Sequence, residues 1–186
     1  MNIKEKAIFL DRDGVINKEV SYLSDPDKFE FIEGSIDALR DLKNMGYLLI
    51  VITNQAGIAR GYFTENTLSK IHTKMTMILK NYEIEIDDIY ICPHHPNFTG
   101  PCECRKPKPG MIIDASNKYN VDLNQSYMIG DTLKDIETGI NAHCKTVLLL
   151  TGYGKEEVKK IANIKPDFIF KNLLEFAQNL KSKPVL

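Results

Sequence analysis

The sequence predicts an α/β protein: a three-layer, doubly wound parallel sheet with helices on both faces. Three observations carry that prediction. The runs AIFL (7–10), LLIVIT (48–53) and TVLLL (146–150) are apolar without alternation, as strands buried on both faces must be. Between such runs lie segments whose apolar residues recur at helical spacing. The two kinds alternate along the chain, the pattern of successive βαβ units. All 186 residues are expected to form one domain, since nothing reads as a repeat, a low-complexity tract or a linker.

The elements follow in order. Ala7–Leu10 is the first strand. Ser35–Met45 places Ile36, Leu39, Leu42 and Met45 on one helical face, and Gly46 stops it. Leu48–Thr53 is the second strand, and Thr64 caps a helix carrying Leu68, Ile71, Met75 and Ile78 inward. Ile89–Cys92 is a short third strand, and Pro109 introduces a helix over Gly110–Tyr119. Tyr127–Ile129 is a fourth strand, Leu133–Ala142 a helix and Thr146–Leu150 a fifth strand. A helix near Lys155–Ala162, a strand at Phe168–Phe170 and a helix over about Leu173–Leu180 complete the series. Two segments, Gly14–Ile32 and Pro93–Pro109, fit no element, and long irregular excursions in compact folds are usually functional.

Composition narrows the function. With 43% hydrophobic and 26% charged residues and a net charge of −1, nothing favours nucleic acid or an acidic membrane as partner. No apolar stretch approaches the roughly 20 residues of a membrane span, and the start MNIKEKAIFLDRDG is too short and too soon acidic for a signal peptide. The expectation is a cytoplasmic protein, monomeric for want of any marked oligomer surface.

In a doubly wound sheet, ligands bind beyond the carboxyl ends of the strands. Asp11 and Asp13 leave the first strand there, Thr53 and Asn54 the second, and Asp131 the fourth, with Asp135 one turn on. Arg105 and Lys106 follow the third strand after its excursion. Crowded carboxylates stay ionised only around a cation, and oxygen ligands with open positions suit Mg²⁺. A hydroxyl, an amide and a lysine suit phosphoryl oxygens. One aspartate can then be phosphorylated while a second, two residues on, transfers protons. Singly, Asp-x-Asp-Gly is most often a solvated turn or a cap, and Lys106 a solvated lysine. Their coincidence at successive strand ends is what points to two-step phosphoryl transfer.

The motifs FLDRDGVIN, VITNQAGIARG, CRKPKPG and YMIGDTLKDI, in that order, resemble the four motifs of the haloacid dehalogenase (HAD) superfamily of phosphohydrolases over about residues 7–152. The stretches FEFIEGSIDALRDLKNMGY, TNQAGIARGYFTE and ICPHHP resemble its subfamily of heptose bisphosphate and histidinol-phosphate phosphatases. The resemblance implies Asp11 as nucleophile and Asp13 as acid and base. It implies Mg²⁺ held by Asp11, the main-chain carbonyl of Asp13 and Asp131. Thr53 and Asn54 would bind the phosphoryl group, Lys106 would neutralise it, Arg105 would help hold the substrate, and Asp135 would orient Lys106 or cap the loop. The implied reaction removes the 7-phosphate of a heptose 1,7-bisphosphate, a small-molecule sugar substrate on the route to heptose nucleotides and lipopolysaccharide. Histidinol phosphate is the alternative, and an inactive zinc-stapled scaffold is opposed by the presence of every catalytic aspartate. Thr132 departs from the lysine that enterobacterial members usually carry after Gly-Asp.

Cys92, His94, Cys102 and Cys104 supply three thiolates and an imidazole, a full tetrahedral set for a structural Zn²⁺. His95 is an alternative to His94; the resemblance favours His94. Cys144 is expected in the core, and His72 and His143 on the surface or in packing. Gly14–Ile32 has no room for a large cap domain, so the site should be open-topped, with Tyr22 and Leu23 at its mouth. Arg60 is a candidate for binding a second anionic group.

Overall fold

The computed structural model describes residues 4–182. Its elements are β1 (Ala7–Leu10), α1 (Ser35–Asn44), β2 (Leu48–Asn54), α2 (Glu65–Lys80), β3 (Asp88–Cys92), α3 (Pro96–Thr99), α4 (Gly110–Tyr119), β4 (Tyr127–Gly130), α5 (Leu133–Asn141), β5 (Lys145–Leu149), α6 (Gly154–Glu157), β6 (Phe168–Phe170) and α7 (Leu173–Ser182). The six strands form one parallel sheet in the order β3-β2-β1-β4-β5-β6. That order reverses direction between β1 and β4, where Leu10 is in register with Ile129.

Alternate side chains of the strands feed two cores. Ile8, Leu10, Leu49, Val51 and Ile129 pack with Leu39 and Leu42 of α1, Ile71 and Met75 of α2, and Phe176 of α7. Ala7, Phe9, Ile50, Ile52 and Met128 pack with Met111, Ile112 and Ala115 of α4 on the other face. The three layers expected from the sequence are therefore present. β1 and β4 are fully buried, and β2 is buried at all but its two end residues, which is why these sequences show no alternation.

Thr64 caps α2 by accepting from the Thr67 amide at 3.1 Å, as read from the sequence. Leu79, not Ile78, completes its buried stripe. Leu79 lies about three full turns after Leu68 and so on the same face, whereas Ile78 falls off it. The helix expected near Lys155–Ala162 is only the single turn α6 and a 3-10 turn at Val158–Lys160. Only Gly154 is buried there, and a lysine- and glutamate-rich segment has no apolar face to sustain more turns. No helix of the described residues is long and apolar enough to cross a membrane.

The excursion after β1 carries only a 3-10 turn at Pro26–Lys28 and the bridges Asp13–Asn17 and Asn17–Phe31. Leu23 was expected at the mouth of the site. It is 4% exposed and packs in the first core with Val15, Ile16 and Phe29, because this loop folds down onto the sheet and needs its own apolar anchors.

Candidate active site

The reversal of strand order opens a crevice between the carboxyl ends of β1 and β4. Asp11 and Asp131 emerge on either side of it, and the Asp11 amide still donates to Ile129 O at 2.9 Å. The main chain thus fixes where both carboxylates stand. Lys106, 3% exposed, reaches in from the long loop after β3. Its Nζ lies 2.8 Å from Asp11 Oδ2 and 2.6 Å from Asp135 Oδ1. Burial alone would lower its pKa, but these two carboxylates raise it and keep it charged. Asn54 holds the lysine's backbone at both ends: its Nδ2 donates to Lys106 O at 3.2 Å and its Oδ1 accepts from Lys106 N at 3.1 Å. Asp135 both orients the lysine and caps α5. Its Oδ2 accepts from the Thr132 amide at 3.1 Å and from Thr132 Oγ1 at 2.6 Å.

Asp13 faces a different set of partners. Arg12, wholly buried, folds back onto it with Nη2 2.7 Å from Oδ2 and 2.9 Å from Oδ1. Asn17 Nδ2 donates to Oδ1 at 2.9 Å and Gln55 Nε2 to Oδ2 at 3.1 Å. Burial works to raise the Asp13 pKa, but Arg12 and these donors outweigh it and hold the carboxyl below its usual range. The other side of Arg12 meets His72 of α2, whose Nε2 accepts from Nη1 at 3.1 Å. Burial and the Arg12 charge push His72 down to about 4, so it is a neutral acceptor at pH 7. Sequence reading missed this assembly. Arg12 was visible between the two aspartates, but its partners lie far along the chain.

The glycine after Asp13 also has a reason. Gly14 has φ +78°, and a Cβ there would run into the Asp131 carboxylate. Gly152, at φ +49°, approaches Asp131 in the same way from the loop after β5. Asp131 Oδ2 accepts from the Tyr153 amide at 2.8 Å. Two backbones are thus packed against one buried carboxylate.

The carboxylates of Asp11, Asp131 and Asp135 place ligand oxygens within 4.8 Å of one another. Burial, followed by the neighbouring carboxylates, pushes Asp131 up to about 8; burial also dominates in raising Asp11 to about 7, against the opposing pull of Lys106. One lysine does not balance three acids, and a divalent cation fits that deficit. Asp135 is engaged by Lys106 and Thr132, Asp11 by Lys106 and the Arg12 amide, and Asp131 by the Tyr153 amide, and these three carboxylates are the groups that could hold Mg²⁺.

Above these groups lies a cleft of about 300 Å³, lined among others by Asn54, Gln55, Arg105, Lys106, Lys134 and Tyr153. Tyr22 stands at its edge as expected. Two expected residues stand elsewhere. Thr53 is 1% exposed, with its hydroxyl accepting from Gln55 Nε2 at 2.9 Å, so that Asn54, Gln55 and Ala56 form the wall. Arg60 does not line the cleft; its guanidinium sits 5.0 Å from the Phe98 ring centre and 5.9 Å from that of Tyr22, with Nη2 3.0 Å from His95 Nε2. The aromatic neighbours and the imidazole hold it beside the loop.

In the loop after β3, Cys92, His94, Cys102 and Cys104 converge. The three sulfurs are 3.2–3.6 Å apart, and His94 Nδ1 is 3.4 Å from Cys104 Sγ and 4.0 Å from Cys92 Sγ. A tetrahedral Zn²⁺ with its usual bond lengths implies edges of about 3.5–3.8 Å, so the set fits zinc. His95, the alternative ligand, is turned to Arg60. Arg105 Nη1 donates to the His94 carbonyl at 3.0 Å, which ties the cleft wall to the loop. Cys144 is 8% exposed in the second core, where burial pushes its thiol up to about 12.

The comparisons agree with this geometry. A HAD-hydrolase-like family model matches residues 103–176. The D-glycero-β-D-manno-heptose-1,7-bisphosphate 7-phosphatase of Pasteurella multocida is 48% identical over 165 residues, covering 86% of this chain and 90% of the relative. The enzyme of the same name from Escherichia coli K12 is 42% identical over 183 residues, covering 95% and 94%. The crystal structure of D,D-heptose 1,7-bisphosphate phosphatase from B. bronchiseptica, complexed with magnesium and phosphate, superposes with a TM-score of 0.89 at 34% identity, covering 96% and 99% of the two chains. The chain belongs to the family of D-glycero-β-D-manno-heptose-1,7-bisphosphate 7-phosphatases, among the HAD-like hydrolases.

Proposed function

We propose that the protein hydrolyses the 7-phosphate of D-glycero-β-D-manno-heptose 1,7-bisphosphate through an aspartyl-phosphate on Asp11. The observation that carries this reading is the contrast between two aspartates two residues apart. Asp11 faces Lys106 and Asp131 in the cleft, while Asp13 is cradled by Arg12, Asn17 and Gln55. One carboxylate is set to attack and the other to manage protons. The names of the relatives at 41–48% identity favour a heptose ester over histidinol phosphate, and the β anomer over the α.

In the first step an Asp11 oxygen attacks phosphorus and the bond to the sugar oxygen breaks. Asp13 delivers a proton to that oxygen, so that an alcohol leaves. Asp13 rests ionised, and a phosphate monoester, whose second pKa is about 6, can bring the proton with it. In the second step Asp13 takes a proton from water, which attacks the phosphorus of the acyl phosphate, releasing inorganic phosphate and restoring Asp11. Lys106 balances the charge of the transferring group, and Asn54 keeps it in place. Asp11, Asp131 and the Asp13 carbonyl would hold Mg²⁺, which when bound offsets the repulsion between carboxylate and phosphate. Cys92, His94, Cys102 and Cys104 would hold Zn²⁺ as a structural ion, with no position left for water.

The test is phosphate release with Mg²⁺ from both anomers of heptose 1,7-bisphosphate and from histidinol phosphate. The β-heptose ester should be turned over with the highest kcat/KM, and Asp11→Asn should release no phosphate while retaining the fold. Preference for histidinol phosphate would overturn the substrate; turnover by Asp11→Asn would overturn the nucleophile.

A further inference from the structure

Part of the cleft wall is built from the start of α5. Thr132 and Lys134 both line it. The Thr132 hydroxyl donates inward to Asp135 at 2.6 Å, so it has no donor left for an anionic ligand. Lys134 is exposed and forms no ion pair within 4 Å among the described residues, although Glu157, which accepts from the Leu133 amide at the same helix start, lies near enough to feel its charge. Its position is electrostatically unfavourable in itself, because a cation in the first turn of a helix opposes the helix dipole by roughly 0.3–1 kcal/mol. Arg105 lines the same cleft, has no carboxylate partner among the described residues, and is held by the His94 carbonyl through one nitrogen only. Lys106, in contrast, lies at the floor between Asp11 and Asp135, where the cleaved phosphoryl group is handled. The cleft therefore carries one ion-paired cation at its floor and, on its walls, two that form no ion pair within 4 Å among the described residues, while Arg60 lies outside it.

We propose that Lys134, together with Arg105, holds the phosphate of the substrate that is not cleaved. Lys134 is then a specificity-determining residue, favouring a bisphosphate over a monophosphate of the same sugar. The proposal rests on the bisphosphate reading given above. A charge-assisted contact to phosphate accounts for both the exposed lysine and its unfavourable place on the helix.

The experiment compares kcat/KM for heptose 1,7-bisphosphate with that for heptose 7-phosphate in the wild type, Lys134→Ala, Lys134→Glu and Lys134→Arg. The wild type should prefer the bisphosphate. In Lys134→Ala that preference should fall by about 10- to 100-fold, through KM more than kcat, and it should fall further in Lys134→Glu. Lys134→Arg should keep the preference within a few-fold. An equal loss on both esters, or an unchanged preference in Lys134→Ala, overturns the role of Lys134 and leaves the substrate reading standing. A wild type that hydrolyses histidinol phosphate but neither heptose ester overturns the substrate reading and the proposal with it.

Discussion

Replacing Asp135 by Asn tests whether this residue is a positioner of Lys106 or a ligand of the metal. Asn has the shape of Asp but exchanges one acceptor oxygen for a donor. Asp135 uses both oxygens as acceptors, one from Lys106 at 2.6 Å and one from Thr132. Either orientation of the amide therefore sets a donor against a donor. Lys106 is 2% exposed at its side chain and would be left with Asp11 as its sole counter-charge. Breaking one arm of a buried charge network costs about 3–5 kcal/mol. In a chain of this size each kcal/mol is worth roughly 2–4 °C, so the melting temperature should fall by about 10 °C. Lys106 would also shift against the nucleophile, and misplacing one charge-stabilising group lowers kcat by about 100-fold or more. The assays are thermal unfolding followed by circular dichroism and phosphate release titrated with Mg²⁺. The positioning role requires the Mg²⁺ concentration for half-maximal rate to stay within a few-fold of the wild type. A variant that keeps its melting temperature and kcat, or one that recovers full kcat at high Mg²⁺, refutes the reasoning.

Three further outcomes follow from the same geometry. Asp11 and Asp131 have folded pKa values near 7 and 8, above their unfolded values near 4, so the metal-free protein loses stability as pH rises through that window. Mg²⁺ replaces those protons, and its gain in melting temperature should be larger at pH 8 than at pH 6; equal gains would contradict the raised carboxylates. Gly14→Ala adds a methyl group where the Asp131 carboxylate already stands, at φ +78°, and should lower activity by at least about 100-fold at saturating Mg²⁺; near-wild-type rates would show that Asp131 can move without loss. Cys102→Ser should reduce bound zinc, measured by mass spectrometry, from one ion per chain to a small fraction, and lower kcat/KM by about tenfold through loss of the Arg105 anchor; retained zinc would place the ion elsewhere.

The strands and the acids at their ends were legible because burial on both faces leaves one pattern, an unbroken apolar run, and the residue after it must stand at the sheet edge. Asp11 and Asp131 follow from that, and α1, α2, α4 and α5 from apolar residues at helical spacing between the runs. What escaped depends on the paths of side chains in three dimensions. Arg12 turns back onto Asp13 with its other side against His72, a half-buried neutral acceptor 60 positions away, and no local pattern encodes that contact. Gln55 follows Thr53-Asn54 directly, yet it covers Thr53 and reaches Asp13, exchanging the roles that order along the chain suggested. His94 and His95 are adjacent, and only the direction of each ring separates a metal ligand from a partner of Arg60. Leu23 read as a mouth residue because an irregular loop carries no periodicity from which to infer its buried side.

The loop after β3 explains how an active site without a cap keeps its shape. Its ligating residues and its site residues share neighbouring positions. His94 reaches the cysteine cluster with its ring and holds Arg105 with its carbonyl. Cys104 is followed immediately by Arg105 and Lys106. His95, next to a ligand, holds Arg60, which in turn packs against Phe98 of the loop and Tyr22 of the opposite excursion. Fixing four atoms of this segment thus fixes Arg105 and Lys106 at the cleft and Arg60 beside it. Without that constraint, an irregular segment of this length would order Lys106 only through its ion pairs and Asn54. The dominant cost of such ordering is backbone entropy, about 1–2 kcal/mol for each residue held in place. A zinc ion held by the cysteine cluster would order the loop before substrate arrives and remove that cost from catalysis, acting on the rate through geometry while remaining outside the chemistry.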